Sequence, residues 1–183
     1  MSGKTNIDRR ALQTRQRIGE AFLKLGGMRA ISLISVEGLA REAGIARSTF
    51  YSHYQGIDDY ISGSFASMLT ATADTQSCDR VLPVQAILDH VAIAGKSVPA
   101  LLEYRHYDKM MRRGEHALRI VAAKRLDKRF PSIAPVERRS IATMLAAGFI
   151  SMLRDWIEQD RKLPVDEVVR RFEAMEAKLL RAN

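Results

Sequence analysis

Cysteine is nearly absent from the chain: Cys78 stands alone among 183 residues. No disulfide can form within the chain, and its thiol is expected to be free. No glycine-rich phosphate loop, dinucleotide fingerprint or zinc pair occurs. The four histidines, His53, His90, His106 and His116, are not spaced to share a metal with a second strong ligand. No metal site, cofactor or catalytic constellation is therefore expected. No stretch alternates polar and apolar residues with a period of two, so strands are not expected. There is no internal repeat or low-complexity tract. The longest apolar run, 141–153, falls short of the ~20 residues that span a bilayer. The N-terminus is polar and lacks a signal-peptide core. These absences point to a cytoplasmic protein with no membrane partner.

What is present is positive charge and helical periodicity. The formal net charge is +8 and the isoelectric point about 9.9, a balance that favours a polyanionic partner. The excess is uneven. Residues 1–54 carry nine basic residues against four acidic ones. Hydrophobic residues make up 46 % of the chain, enough for a folded core.

The basic excess surrounds the stretch 35–54, SVEGLAREAGIARSTFYSHY. It reads as two short helices joined by a tight turn. Ser35 is a good N-cap, and Glu37 follows in the first turn, where the helix dipole favours an anion. Val36, Leu39, Ala40 and Ala43 recur at helical spacing. Gly44 stands where a helix end wants a left-handed residue. A second helix is expected over 47–53, with Phe50 and Tyr54 inward. Its outer side shows Arg47, Ser48, Thr49, Tyr51, Ser52 and His53. Arginine has the fork for guanine or phosphate, and the hydroxyls and imidazole suit phosphate oxygens. Residue types alone also fit an ordinary helical hairpin with a polar face.

The order Leu39-Ala40, Ala43-Gly44-Ile45, Thr49-Phe50-Tyr51 and His53-Tyr54 resembles the N-terminal domain of the TetR family of transcriptional regulators. The likeness runs over residues 8–70; beyond it only length and helical rhythm agree. The resemblance implies that Ser35, Arg47, Ser48, Thr49, Tyr51, Ser52 and His53 face DNA, with Arg9, Arg10 and Lys4 near its phosphates. It also implies a C-terminal domain that holds an effector and pairs through its last two helices. Two positions depart from the family pattern. Ala46 stands where a polar cap is common, and Ile57 where a phosphate-binding lysine is common.

Along the rest of the chain, residues 1–7 read as a flexible arm and 8–25 as a helix ended by Gly26-Gly27. Arg10, Arg17 and Lys24 lie along its basic outer edge. Further helices are expected over 57–73, 83–94, a short piece from Pro99, 108–130, 136–160 and from 164 onward. The helix around 141–153 is apolar nearly all round, which means contact on more than one side. With the last helix it points to a homodimer, for which Ile141, Leu145, Gly148, Phe149, Met152, Val168, Phe172 and Met175 are the candidate interface. Tyr104-Arg105-His106-Tyr107, with two methionines one turn on, is the densest cluster of versatile side chains. By analogy with the family, Met68, Tyr104, Tyr107, Met111, Phe149 and Trp156 are the candidate effector pocket.

The expectation is an all-α protein of about nine helices. Residues 1–56 form a helix-turn-helix DNA-binding domain and 57–183 an effector-binding and dimerisation domain, with the helix from Ile57 connecting the two. Its expected function is transcriptional regulation: a repressor released from an inverted-repeat operator by a small molecule. The rivals are a small all-α enzyme with a basic surface, and a helical adaptor that has lost DNA binding.

Overall fold

Helices account for all the regular structure in a computed structural model that describes residues 2–28, 31–75, 80–94 and 104–181. At residues 2–8, 74, 75 and 94 only the backbone is described. No strand occurs among the described residues, in keeping with the all-α expectation. The expected short helix from Pro99, and Cys78, lie outside them.

The chain divides into two compact units. The first holds helix α1 (Ser2–Met28), a 3-10 turn (Ile31–Leu33), α2 (Val36–Glu42) and α3 (Arg47–Tyr51). It also takes the first turn of α4 (Ile57–Thr75) together with Tyr104 and Arg105. The unit boundary falls within α4, after Ile61. Helix α1 differs from expectation at both ends. It starts at Ser2, so the expected arm is helical. Once a helix exists, each further residue adds a hydrogen bond at little cost, and no proline stops it. It also passes through Gly26-Gly27 to Met28, because glycine in a last turn lowers helix stability by only about 1 kcal/mol without forbidding it. Ile18, Ala21 and Leu25 on its inner face are buried with Ile31, Ile34, Leu39 and Phe50.

The second unit holds the rest of α4, then α5 (Val84–Ala94), α6 (Tyr107–Arg129), α7 (Pro135–Glu158) and α8 (Val165–Arg181). Pro135 opens α7 at a first-turn position, where its missing N–H has no helical partner to lose. Helix α6 packs along α7, and α8 lies against both α5 and α7. Leu118, Leu126, Ile141, Leu145, Phe149 and Phe172 form the centre of this core. Arg138 fixes the α6–α7 corner: its Nε pairs with Asp127 at 2.7 Å while Nη1 donates to the Pro131 carbonyl at 3.1 Å.

Glu176 of α8 is only 2 % exposed. Its Oε1 accepts from the Val81 backbone N–H at 3.1 Å, and its Oε2 is buried with no hydrogen-bond partner among the described residues. Burial raises the pKa of this carboxyl, against the lowering effect of the Val81 and Leu82 amides and of Arg80. A carboxyl raised on folding favours the protonated fold. Its stabilising contribution is full below the unfolded value and is lost as pH climbs through the folded one. Glu176→Gln should therefore melt higher than the parent at pH 7. The gap should close as pH falls below the ordinary glutamate value. Thermal melts of both proteins from pH 4 to 8 measure this; parallel curves would contradict it.

Candidate nucleic-acid interface

Local chemistry builds the bihelical turn. Ser35 adopts an extended backbone and its Oγ accepts from the Gly38 N–H at 3.1 Å, capping α2. Glu37 sits in the first turn and Arg41 in the last, each favourable to the helix dipole. Gly44 then turns left-handed at φ 61°. Its carbonyl accepts from Arg17 Nη2 at 2.8 Å, and a Cβ there would meet that same nitrogen at 2.7 Å. The left-handed backbone is what favours glycine here, since the Arg17 tip is the end of a flexible side chain and can shift. Lys24 reaches Glu42 at 2.5 Å. Two of the three cations expected along an open edge of α1 therefore brace the turn, which spacing alone did not reveal.

Helix α3 spans only five residues, Arg47–Tyr51, and Ser52 and His53 follow it in the closing turn. Phe50 is wholly buried. Its ring lies 5.5 Å from that of Tyr54 and 6.4 Å from that of Tyr60, while Tyr60 stands 5.1 Å from both Tyr54 and Phe22. This aromatic cluster ties α3 to α1 and to the first turn of α4. Outward from it, Arg47, Ser48, Tyr51 and Ser52 are exposed, and Thr49 and His53 half-buried. Tyr51 is 50 % exposed. The Ser52 hydroxyl donates to the Thr49 carbonyl at 2.7 Å, so it is left to accept rather than donate. Ser35 is exposed but its oxygen is engaged in the cap. Arg9 and Arg10 are exposed on α1; Lys4 lies in the same helix, its side chain outside the described residues.

Ala46 is the N-cap of α3 and supplies no side-chain bond. Its backbone, φ −71° and ψ 150°, is already that of a cap. Ala46→Ser should stabilise the first unit by about 0.5–1 kcal/mol, since capping hydroxyls contribute about that much. A melt unchanged or lowered by this substitution would contradict the assignment of Ala46 as an open cap.

At the start of α4, Asp59 Oδ2 accepts from the Gln55 N–H at 3.1 Å. Asp58 holds the later part of the chain: Tyr104 Oη donates to Asp58 Oδ1 at 2.5 Å, and Arg105 lies 3.7 Å from Oδ2. Burial, then the bond to Asp58, keeps the Tyr104 hydroxyl well above the usual phenol range. Ile57, where the family commonly has lysine, is half-buried. Tyr60 and Asp58 hold this turn through their ring and hydrogen-bond contacts.

No family model and no curated protein matches the sequence. Solved structures do. The TetR transcriptional regulator from Streptococcus agalactiae aligns with a TM-score of 0.59 at 22 % identity, over 95 % of this chain and 99 % of its own. The TetR family repressor AlkX from Dietzia sp. aligns with a TM-score of 0.58 at 17 % identity, over 91 % and 95 %. The chain has the TetR-regulator fold. The dihydroxyacetone kinase operon activator DhaS aligns as well, with a TM-score of 0.65 at 17 % identity, over 90 % and 96 %.

Within this TetR-like fold the expected interface residues separate. Ile141, Leu145, Phe149, Val168 and Phe172 are buried within the protomer. A side chain already covered by its own chain has no surface to give a partner. Gly148, Met152 and Met175 keep surface, and so do Met144, Ala147 and Ser151, which no apolar periodicity marks out. The six expected effector residues also separate. Tyr104 belongs to the first unit. Met111 and Phe149 are core, and Met68 is half-buried. Trp156 lines a cleft with none of the other five. Tyr107 is distinctive: its hydroxyl is buried with no hydrogen-bond partner in the structure described, and burial pushes its pKa up to about 12. The Arg154 guanidinium stacks 5.4 Å from its ring centre and pairs with Asp108 at 2.9 Å.

Proposed function

We propose that this protein is a DNA-binding transcriptional regulator rather than an enzyme, acting in the cytoplasm as a homodimer on an inverted-repeat operator. The observation that carries the reading is α3: a five-residue helix presenting Arg47, Ser48 and Tyr51 outward, held from behind by the Phe50 cluster and by the Arg17–Gly44 bond. A helix so placed enters the major groove in helix-turn-helix proteins. In a symmetric dimer two of them meet successive grooves about 34–36 Å apart. The solved relatives include both a repressor and an operon activator. We assign repression, released by a small molecule that binds the second unit. The unpartnered Tyr107 hydroxyl supports an effector with a polar group. Release requires the effector to bind the DNA-incompetent conformer more tightly than the competent one. DNA must then weaken effector binding by the same factor.

Two substitutions test the DNA reading. Arg47→Ala should cost about 1–3 kcal/mol at the preferred base and relax specificity there. Tyr51→Phe should weaken all sequences alike, because phosphate contacts carry no sequence information. DNA selection from a random pool, followed by binding across a salt series, measures both. Binding that ignores salt, or the reverse pattern of specificity, would overturn the reading.

A further inference from the structure

Between the end of α7 and the start of α8 lies a cleft of about 180 Å³. Its floor is apolar: Met152, Trp156, Leu163 and Val168. Trp156 and Val168 are 5 % and 3 % exposed, so the floor is part of the core. Its rim is polar: Asp155, Gln159, Lys162 and Arg171. Arg171 is engaged by Glu167 at 2.7 Å. Among the described residues, neither the Asp155 carboxylate nor the Lys162 ammonium has a hydrogen-bond or ion-pair partner. One wall is the turn after α7, which gives Gln159, Lys162 and Leu163 to the lining. Between them Asp160 and Arg161, which lie outside the lining, both adopt φ 55°. Two non-glycine residues in the left-handed region persist only where surrounding structure holds them. Here the turn is held on both sides. The Arg161 N–H donates to the Trp156 carbonyl and the Trp156 indole N–H to the Leu163 carbonyl, each at 2.8 Å. The wall is therefore formed before anything binds, and a ligand has no loop to order.

We infer that this cleft binds a small apolar zwitterion, an apolar α-amino acid, with its carboxylate at Lys162, its ammonium at Asp155 and its side chain on the Met152–Trp156–Val168 floor. Free charges of opposite sign above an apolar floor match the three parts of such a molecule. An apolar cavity of about 150 Å³ holds benzene, so this volume suits a leucine or phenylalanine side chain. An anion without an ammonium leaves Asp155 facing it unpaired, and an amine without a carboxylate does the same to Lys162. The inference goes beyond the DNA-binding reading and does not depend on it.

Calorimetry on the purified full chain, with no DNA present, tests it. L-leucine and L-phenylalanine should bind saturably and L-aspartate should not. 4-Methylpentanoate, which lacks the ammonium, and 3-methylbutylamine, which lacks the carboxylate, should each bind about tenfold or more weakly than leucine. Both rim residues are exposed, so their variants leave the core intact. Lys162→Ala should weaken leucine but leave the amine unchanged. Asp155→Ala should weaken leucine but leave the carboxylate unchanged. That crossed pattern is one that a general loss of fold does not produce. No saturable binding of leucine or phenylalanine would overturn the inference, as would leucine affinity untouched by both variants.

Discussion

Phe50→Ala will abolish DNA binding and bring melting of the first unit well below that of the parent protein. Phe50 is wholly buried, and Tyr51, Tyr54 and Tyr60 place their rings 5.8, 5.5 and 6.4 Å from its own. Truncating a buried phenylalanine costs about 3–5 kcal/mol, part transfer and part cavity. A unit of this size is marginal to begin with, and whole domains hold only about 5–15 kcal/mol. Helix α3 has no reserve of its own. At five residues without a side-chain cap it is far below the length at which helices persist alone. Its position is set by what Phe50 touches. Melting followed by far-UV dichroism, together with a gel shift, measures both effects. Tyr51→Ala is the control: Tyr51 is half exposed, so it should keep the melt while weakening DNA. A Phe50→Ala protein that melts and binds DNA like its parent would show that the cluster does not hold α3.

The bihelical turn was legible because its signals are local. Ser35 caps an amide three residues on, and Gly44 adopts the conformation its own lack of a Cβ permits. Both facts are encoded within one turn of chain. What braces the turn was not legible. Arg17 reaches the Gly44 carbonyl 27 residues away, and Tyr104 reaches Asp58 across 46. In the sequence these are a basic edge residue and a member of a mixed polar cluster, and no spacing rule pairs them. Helix α7 shows a different limit. Being apolar nearly all round, it carries no periodicity that tells which stripe meets its own core. Ile141, Leu145 and Phe149 turned inward, while Met144 and Gly148, four apart, keep surface on the outer side, and Met152 a turn further on borders the cleft between α7 and α8.

That outer side carries the effect expected to be largest on function. Met144 is 48 % exposed and Met175 of α8 is 42 % exposed, beside Ala147, Gly148 and Ser151 on α7. Small residues on such a face let a second helix approach at the short end of the usual 8–10 Å. A Cβ at Gly148 would meet nothing within 4 Å of its own chain. Gly148→Glu should therefore leave the protomer folded. Glutamate is also the better helix former, so the melt measured for monomer should not fall. In a dimer packed on this face the same glutamate would be buried without a partner, which is strongly unfavourable. The variant should then be monomeric at concentrations where the parent is dimeric. Losing the second half-site contact should cost about 10²–10⁴ in operator affinity. A single half-site, which needs only one recognition helix, should be bound equally by both proteins. Sedimentation equilibrium reads the first outcome, and titration of the inverted repeat against the half-site reads the second. A Gly148→Glu protein that stays dimeric would place the dimer contact elsewhere on the molecule. A monomeric variant that holds the inverted repeat as tightly as the parent would remove the twofold DNA site itself, because affinity would then owe nothing to the second copy.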